Sequence, residues 1–301
     1  MRTLVSILNW NNTLATNTCL AGIAKMPHAQ QPDIYVIDND SQREKLVIND
    51  DTAKKLRSLK IFYNKTNKGF AGGHNDAVAY AIQNRYDYVC LLNNDTEIID
   101  LDIFTKLTGA LSRDNSAVAA APTILGTKVP PTIWFGGGSM NIKHASTRHS
   151  RLNEVVSTGD STDVQQVSFL TGCCLMISLR DPSLNLKLDE DYFLYYEDAD
   201  WCARMQLKNK SLLYVPSTQL LHATSSSLGI RSPSYAYYNV RNRLLFAKKW
   251  SSIIRVLPGT LWNCFKIIGL SFKRPSAVPA TIWYTGKALL HGLSGKVGPI
   301  K

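Results

Sequence analysis

Acidic residues are absent from the last third of this chain of 301 residues. All 23 Asp and Glu residues lie in the first 200 positions, together with 19 Lys and Arg. Residues 201–301 carry 15 Lys and Arg and no acid, so the net charge of +11 arises there. So uneven a charge favours contact with an extended anion: a membrane surface, a nucleic acid or a lipid-linked phosphate.

Closely spaced cysteine pairs are also lacking. The six cysteines form no Cys-x-x-Cys pair and are irregularly spaced. This pattern argues against a cysteine zinc site and against a disulfide framework. With 45% hydrophobic residues, the chain can bury a sizeable core without such cross-links. We therefore expect buried, reduced thiols, as in a cytosolic protein.

Long apolar runs are few. The run at residues 4–8 is too short for a signal peptide and leads into polar Asn9. The best candidate for a membrane span, residues 253–272, contains Arg255, Pro258, Gly259 and Lys266. We expect these residues to break the span, so no transmembrane helix is predicted.

Strand-like segments alternate with helical ones over the first hundred residues. Apolar runs at 3–8, 33–38, 59–63 and 86–92 predict four strands, and the segments between them predict helices. This alternation is typical of a mostly parallel α/β sheet, whose ligands bind beyond the carboxyl ends of the strands. Four polar residues are thereby predicted at one crevice: Asn9, Asp38, Asn67 and Asp95.

The most informative segment is 195–204, in which three carboxylates lie within four positions. Glu197, Asp198 and Asp200 are flanked by tyrosines and Trp201. Such crowding raises the pKa of at least one carboxyl, and the aromatic setting argues against a solvated surface run. The segment therefore predicts a catalytic base in a partly dry pocket.

Weaker signals accompany this segment, and each has an ordinary alternative. Asp95 ends the run Asn93-Asn94-Asp95 after a strand and could bind a divalent cation, or the run could be a turn. His222 could join that site or be structural. Asp38 could bind a ribose or a base, or form an Asx turn.

The glycines of segment 67–75 give a further weak signal. They could let the backbone approach an anion at a helix start, or form a simple loop. The segment is neither a G-x-G-x-x-G pattern nor a P-loop.

Taken in order, these motifs resemble the bacterial family 2 glycosyltransferases of the rhamnosyltransferase type. The resemblance extends from about residue 3 to 249. It rests on His222 and on the segments 8–12, 37–41, 67–75, 91–95, 171–174, 193–200, 214–216 and 237–243. It implies a GT-A fold in which a nucleotide-binding, mostly parallel sheet is flanked by helices. The implied organisation is a catalytic domain at 1–230, with a donor half at 1–118 and an acceptor half at 119–230. A basic helical extension at 231–301 would follow and associate with membranes.

The resemblance also implies roles for individual residues in an inverting transfer. Asp198 would be the base, with Glu197 as the contender, while Asp200, Trp201 and Arg204 would support the base or contact the acceptor. Asp95 and His222 would bind Mg²⁺ or Mn²⁺. The donor would contact seven residues: Asn9, Asp38, Asn67, Gly69, Asn75, Asn93 and Asn94. Asn93 replaces the first acid of the family's Asp-x-Asp motif, which should weaken binding of the free cation.

The implied donor is a dTDP- or UDP-linked sugar, rhamnose being the leading candidate. The implied acceptor is a saccharide, free or carried on a lipid diphosphate, in bacterial surface polysaccharide (O-antigen) synthesis. The expected location is the cytoplasmic, inner face of the plasma membrane, where the basic tail would meet anionic lipid. Two other readings are a nucleotidyltransferase, which would need an absent N-terminal phosphate loop, and a nucleic-acid binder, for which no recognition motif is present.

Overall fold

The first half of the sheet is parallel, as the alternation of apolar runs predicts. The computed structural model describes residues 1–157, 159–223 and 232–300. It contains strands β1 (Thr3–Asn9), β2 (Asp33–Asp38), β3 (Leu59–Tyr63) and β4 (Tyr88–Asn93), adjacent in the order β4-β1-β2-β3. Helices α1 (Thr13–Ile23), α2 (Asp50–Lys55) and α3 (Gly69–Gln83) connect them. Helix α2 ends at Lys55, and Leu59 already pairs with Ile34 of β2.

The second half makes the sheet mixed rather than mostly parallel. It comprises β5 (Thr96–Ile98), α4 (Ile103–Arg113), β6 (Ala117–Gly126), β7 (Ile133–Phe135), β8 (Gly138–Asn141), β9 (Ser146–His149), β10 (Gln165–Val167), β11 (Cys174–Ser178), α5 (Glu197–Leu207) and β12 (Ser211–His222). The full order is β10-β12-β6-β11-β4-β1-β2-β3. Strand β11 runs antiparallel to both β4 and β6, so the sheet changes from parallel to mixed at its centre.

Two strands of this half are longer than the sequence indicates. Strand β6 is a buried strand of ten residues. Its alanines have low strand propensity, so its burial in the sheet decides its conformation. Strand β12 passes through Pro216 and continues to His222, because its pairing with β6 shifts between Val215 and Gln219 and so accommodates the proline.

Three helices complete the described chain: α6 (Pro233–Trp250), α7 (Ile253–Ser271) and α8 (Val278–Ser294). They share a small core that joins Tyr237 and Val240 of α6 to Cys264 of α7 and Ala288 of α8. The predicted domain boundary at 230/231 lies outside the described residues, so it stays a prediction.

Helix α7 corrects one expectation. It is continuous through Pro258 and Gly259, so the predicted break at these residues is wrong. By length and composition it could cross a membrane, and 22% of its apolar window is buried against the protein. That test alone is weak support for a span. The six cysteines are all free and buried, as predicted.

Candidate active site

The carboxylates of the acidic segment lie at the start of helix α5. Phe193, Tyr195 and Tyr196 lead into the helix with φ of 63°, 65° and 75°, a conformation that residues other than glycine rarely adopt. The helix then begins at Glu197, so its first turn contains Glu197, Asp198 and Asp200. The positive end of the helix dipole faces these side chains and favours their negative charge.

Glu197 and Asp198 share this turn but differ in environment. Glu197 is buried, and its Oε2 has no hydrogen-bond partner among the described residues. Burial and the neighbouring charge of Asp198 raise the pKa of Glu197 well above its usual value. Burial also raises the pKa of Asp198, but N–H donation from Gly172 and Ala199 opposes that rise. The half-buried Asp198 thus has two N–H donors that favour its charged form, whereas Glu197 Oε2 has no partner among the described residues.

Asp200 binds groups within the protein. Its side chain is fully buried and accepts from the Tyr192 hydroxyl at 3.2 Å and from Trp250 Nε1 at 2.7 Å. Lys249 Nζ and Arg204 Nε lie 2.8 and 3.1 Å from its oxygens. Four partners leave this carboxylate no free face, so it acts as a support joining α5 to α6.

Trp201 and Arg204 also support the helix. Trp201 is fully buried and donates from Nε1 to the Leu186 carbonyl at 2.9 Å, so it cannot form the wall of an acceptor site. Arg204 binds Asp200 and donates to the carbonyl of Asn185 at 2.9 Å and to that of Lys187. Both residues thus bind α5 to the segment 185–187.

Gly172 and Cys173 connect Asp198 to the end of strand β4. The Gly172 N–H donates to Asp198 Oδ2 at 3.2 Å, and the Cys173 carbonyl accepts from Asn93 N at 2.9 Å. Two consecutive residues thus contact both Asp198 and the Asn93–Asp95 run. A Cβ at position 172 would lie 3.0 Å from the end of the Phe70 ring, so a side chain there would require this ring to shift.

Asp95 and His222 meet although 127 positions separate them in the chain. Strands β5 and β12 pair antiparallel with His222 opposite Thr96, which brings His222 Nε2 to 3.1 Å from Asp95 Oδ1. The Trp134 ring packs edge-on against the imidazole at 4.8 Å. A carboxylate oxygen and an imidazole nitrogen at this spacing can share one divalent cation. No cluster of three His, Cys, Asp or Glu occurs in the described ranges, so further ligands would have to come from elsewhere.

The two asparagines beside Asp95 differ in position. Asn94 Nδ2 donates to Thr16 Oγ1 at 3.0 Å, which ties the strand end to α1. Asn93 is half-buried, and its backbone carries the contact to Cys173.

The predicted nucleoside contact is a buried cluster at the end of β2. Asn9 is fully buried and donates to Asp38 Oδ1 at 2.9 Å, so it holds Asp38 rather than facing a ligand. Ser41 also donates to Asp38 Oδ1 and receives Asn9 Nδ2 at 3.1 Å. Asp38 stays the residue of this cluster best placed to accept from a nucleoside.

Asn39 was missed as a site residue. Its carboxamide donates to Asn67 Oδ1 at 3.0 Å and to the Gly69 carbonyl at 2.9 Å, and it accepts from Lys68 N at 3.0 Å. It therefore shapes the whole 67–69 turn. The signal was available, because Asn39 follows Asp38 in a motif that the sequence analysis used for Asp38 alone.

Asn75 corrects another expectation. It was predicted to line the donor site, but its carboxamide donates to the Leu188 carbonyl at 2.9 Å and Glu190 at 2.8 Å and accepts from Leu188 N at 2.8 Å. Helical periodicity turns it away from the glycine turn and toward the lead into the acidic segment. It is a structural link between α3 and that segment.

Comparison with known proteins agrees with this geometry. The sequence model of the glycosyl transferase family 2 domain matches residues 7–178, more than half of the chain. The chain belongs to glycosyl transferase family 2. The matched range includes the Asp38 cluster, the glycine turn, Asp95 and Gly172, but neither Asp198 nor His222.

Two relatives of this family 2 glycosyltransferase resemble it over most of their length. The low-salt glycan biosynthesis hexosyltransferase Agl10 of Haloferax volcanii is 25% identical over 248 residues, 77% of this chain and 75% of the relative. The dTDP-rhamnosyl transferase RfbF of Shigella flexneri is 20% identical over 224 residues, 72% and 71% of the two chains.

Solved structures show the same fold. GalNAc-T7 with UDP, GalNAc and Mn²⁺ superposes with a TM-score of 0.59 at 16% identity over 82% of this chain, which spans about half (48%) of that protein. The mannosyltransferase PcManGT from Pyrobaculum calidifontis with GDP-Man and Mn²⁺ gives a TM-score of 0.55 at 12% identity, covering 98% of this chain and 88% of that one. The predicted GT-A fold is confirmed.

Proposed function

We propose that this glycosyltransferase moves a hexosyl or rhamnosyl group from a nucleoside-diphosphate sugar to a saccharide hydroxyl, with inversion at the anomeric carbon. The supporting observation is the Gly172–Cys173 link. Through it, two consecutive residues contact the Asp198 carboxylate and the backbone N–H of Asn93, at the strand end that precedes Asp95. An in-line displacement needs a base and a place for the leaving diphosphate on two sides of one carbon.

In the proposed reaction, Asp198 accepts the proton of the attacking hydroxyl. The hydroxyl oxygen bonds to the anomeric carbon while the bond from that carbon to the diphosphate oxygen breaks. The raised pKa of Asp198 brings its basicity closer to neutral pH, which favours proton transfer. Burial raises the pKa of Glu197 and so disfavours its charged form, which favours Asp198 as the base.

The donor would bind along the carboxyl ends of β1, β2 and β4. Asp38 would accept from the nucleoside, and the 67–69 turn shaped by Asn39 would line the sugar or phosphate. RfbF carries dTDP-rhamnosyl in its name and GalNAc-T7 is solved with UDP, so both dTDP- and UDP-sugars are the first donors to test.

A divalent cation fits the Asp95–His222 pair. One carboxylate oxygen and one imidazole nitrogen 3.1 Å apart provide two ligands, and diphosphate oxygens of the donor can supply more. When bound, Mn²⁺ or Mg²⁺ would neutralise charge on the departing diphosphate. Two of the solved relatives contain Mn²⁺ together with a nucleotide or nucleotide sugar, which supports the choice.

We further propose that the acceptor is lipid-linked and that α7 and α8 dock on the inner face of a bacterial plasma membrane. Large apolar side chains of both helices are exposed: Ile254, Trp262, Phe265, Phe272, Trp283 and Leu290. On α7 they recur at helical spacing, and the exposed cations Arg255, Lys266, Lys273 and Arg274 accompany them. Aromatic and basic residues without acids are typical of helices that lie in an anionic interface.

The base assignment has a direct test. Asp198→Asn should lower transfer by about 10²–10⁴-fold, the usual contribution of a general base, while donor affinity stays unchanged. Sugar transfer from dTDP-rhamnose and UDP-sugars is measured by product mass, and donor affinity by calorimetry. Full activity of Asp198→Asn would mean that Asp198 is not the base. Glu197→Gln, which neutralises the neighbouring carboxylate, is assayed as the matched comparison.

A further inference from the structure

One motif of the chain has no role in the reaction described so far: Arg241-Asn242 in helix α6. Both side chains are fully buried, although they belong to the basic last third of the sequence. They lie beyond residue 178, where the family domain match ends. Their polar atoms are directed at the segment 192–196, which leads into α5 and Asp198.

The carbonyl groups of this segment are held from two sides. Asn242 Nδ2 lies 2.7 Å from the carbonyl oxygens of both Leu194 and Tyr195 and 3.0 Å from that of Tyr192. From the donor side, Phe70 N donates to the Phe193 carbonyl at 2.8 Å. Four consecutive carbonyls therefore have fixed partners outside the segment.

Arg241 fixes the orientation of the Asn242 carboxamide. Its Nε donates to Asn242 Oδ1 at 2.8 Å, so the amide nitrogen must face the segment. Its Nη2 donates to the Tyr192 carbonyl at 2.7 Å, and Nη1 donates to the Gly298 carbonyl. No carboxylate lies within ion-pair distance of this guanidinium in the described part of the chain, so backbone carbonyls are its main partners.

The held segment is strained. Three aromatic residues, Phe193, Tyr195 and Tyr196, adopt positive φ within four positions. Such conformations persist where the surroundings over-determine them, and they concentrate at functional sites. Tyr196 is two residues before Asp198, so any relaxation of the segment tilts the first turn of α5.

We propose that Asn242 and Arg241 are positioning residues that keep segment 192–196 in the conformation that presents Asp198 to the acceptor. The proposal rests on the role of Asp198 given under the proposed function. Neither residue contacts a substrate, and both act through the backbone of the segment.

The test is Asn242→Ala, compared with Asn239→Ala on the same helix. Asn239 binds Asn263 of α7 at 2.9 Å and does not contact the segment, so it is a matched control. We expect Asn242→Ala to lower kcat about 10²-fold, the effect of a misplacement near 1 Å, and to leave the donor dissociation constant unchanged. Asn239→Ala should keep the kcat of the unmodified protein.

All variants are assayed well below their melting temperatures, so a purely structural role would leave kcat intact. An unchanged kcat, or equal losses of kcat and donor affinity, overturns the proposal. If Asn242→Ala does not fold, Arg241→Lys decides, since it keeps the charge but loses the Nε bond to Asn242. A fall in kcat alone then supports the proposal, and an unchanged kcat overturns it.

Asp198→Asn, assayed in parallel, separates the two hypotheses. If Asp198→Asn transfers sugar at the normal rate, the base assignment fails and the positioning role fails with it. If Asp198→Asn is inactive while Asn242→Ala has normal kcat, only the positioning role fails.

Discussion

At the scale of single residues, Glu197 occupies a place that disfavours its charge. Burial and the adjacent Asp198 raise its pKa, so the folded protein binds this proton more tightly than the unfolded chain does. Stability linked to this group is therefore present at low pH and is lost as pH rises from the unfolded pKa toward the folded one. Each unit of pKa difference corresponds to about 1.4 kcal/mol.

We expect Glu197→Gln to stabilise the protein at neutral pH and to retain sugar transfer. The gain in free energy of unfolding should disappear below about pH 4, where the unfolded Glu is also protonated. Denaturant unfolding at pH 4 and pH 7.5 measures this difference. A variant as inactive as Asp198→Asn would instead identify Glu197 as the base.

Asp95 and His222 give a second prediction at this scale. His222→Gln should raise the Mn²⁺ concentration for half-maximal activity by about 10–100-fold or more. Substituting even a residue that only supports a metal ligand lowers metal affinity by about this factor. Asn93→Asp should lower that concentration, since it adds a second acid at the strand end. Activity is titrated with Mn²⁺ at saturating donor. Curves that coincide for all three proteins would mean that this pair does not bind the cation.

At the scale of elements, the start of α3 depends on the absence of one side chain. Gly69 has φ of 71°, and a Cβ there would lie 2.2 Å from the Phe193 carbonyl oxygen. The N-terminus of α3 can therefore contact segment 192–196 only through glycine. Through this contact, the turn at 67–69 meets the segment that leads into α5 and Asp198.

Gly69→Ala should lower the free energy of unfolding by more than about 1 kcal/mol, because φ and close contact both oppose a side chain. It should also lower kcat, since Phe193 must move. Gly269→Ala is the control: that glycine lies in helix α7 with open space at its Cβ position. There alanine should be neutral or stabilising by about 1 kcal/mol. Equal thermal unfolding curves for the two variants would contradict this account.

At the scale of the whole molecule, catalytic and basic parts are joined by α6. One end of this helix supplies Lys249 and Trp250 to Asp200, while α8 packs against its middle. A Cβ at Gly292 of α8 would lie 2.7 Å from Leu244 of α6, so these helices are closely packed. Truncation after Lys249 would uncover α6, and point substitutions are therefore the better test of lipid binding.

We expect the triple substitution of Trp262, Phe265 and Trp283 by Ser to reduce co-sedimentation with anionic vesicles at least about 10-fold. Each aromatic side chain that becomes buried in the lipid contributes more than about 1 kcal/mol to binding. Phe62→Ser is a control, since it removes an exposed aromatic from β3. Binding should weaken at high salt, because each cation near the surface adds about 1 kcal/mol. Association that resists both salt and the substitutions would point to α7 as a span.

Features that depend on residues close together in the sequence were predictable, and features that depend on distant contacts were not. Strands β1 to β4 follow from apolar runs closed by polar residues, and the order of these motifs was enough to indicate the fold. Strand β6 was missed because its alanines carry no strand signal of their own. Asn75 was misassigned because its place in the motif does not reveal the direction in which α3 turns it.

The sequence by itself indicated the family, the first four strands and the residues at which chemistry can occur, since these depend on local pattern and residue type. Tertiary structure decided which of them meet. The β5–β12 pairing brings His222 to Asp95, the Gly172 N–H donates to Asp198, and Asn242 of α6 binds carbonyl groups of the segment before it. The physical reason is that proton affinity and ligand spacing depend on burial and on partners far away in the chain.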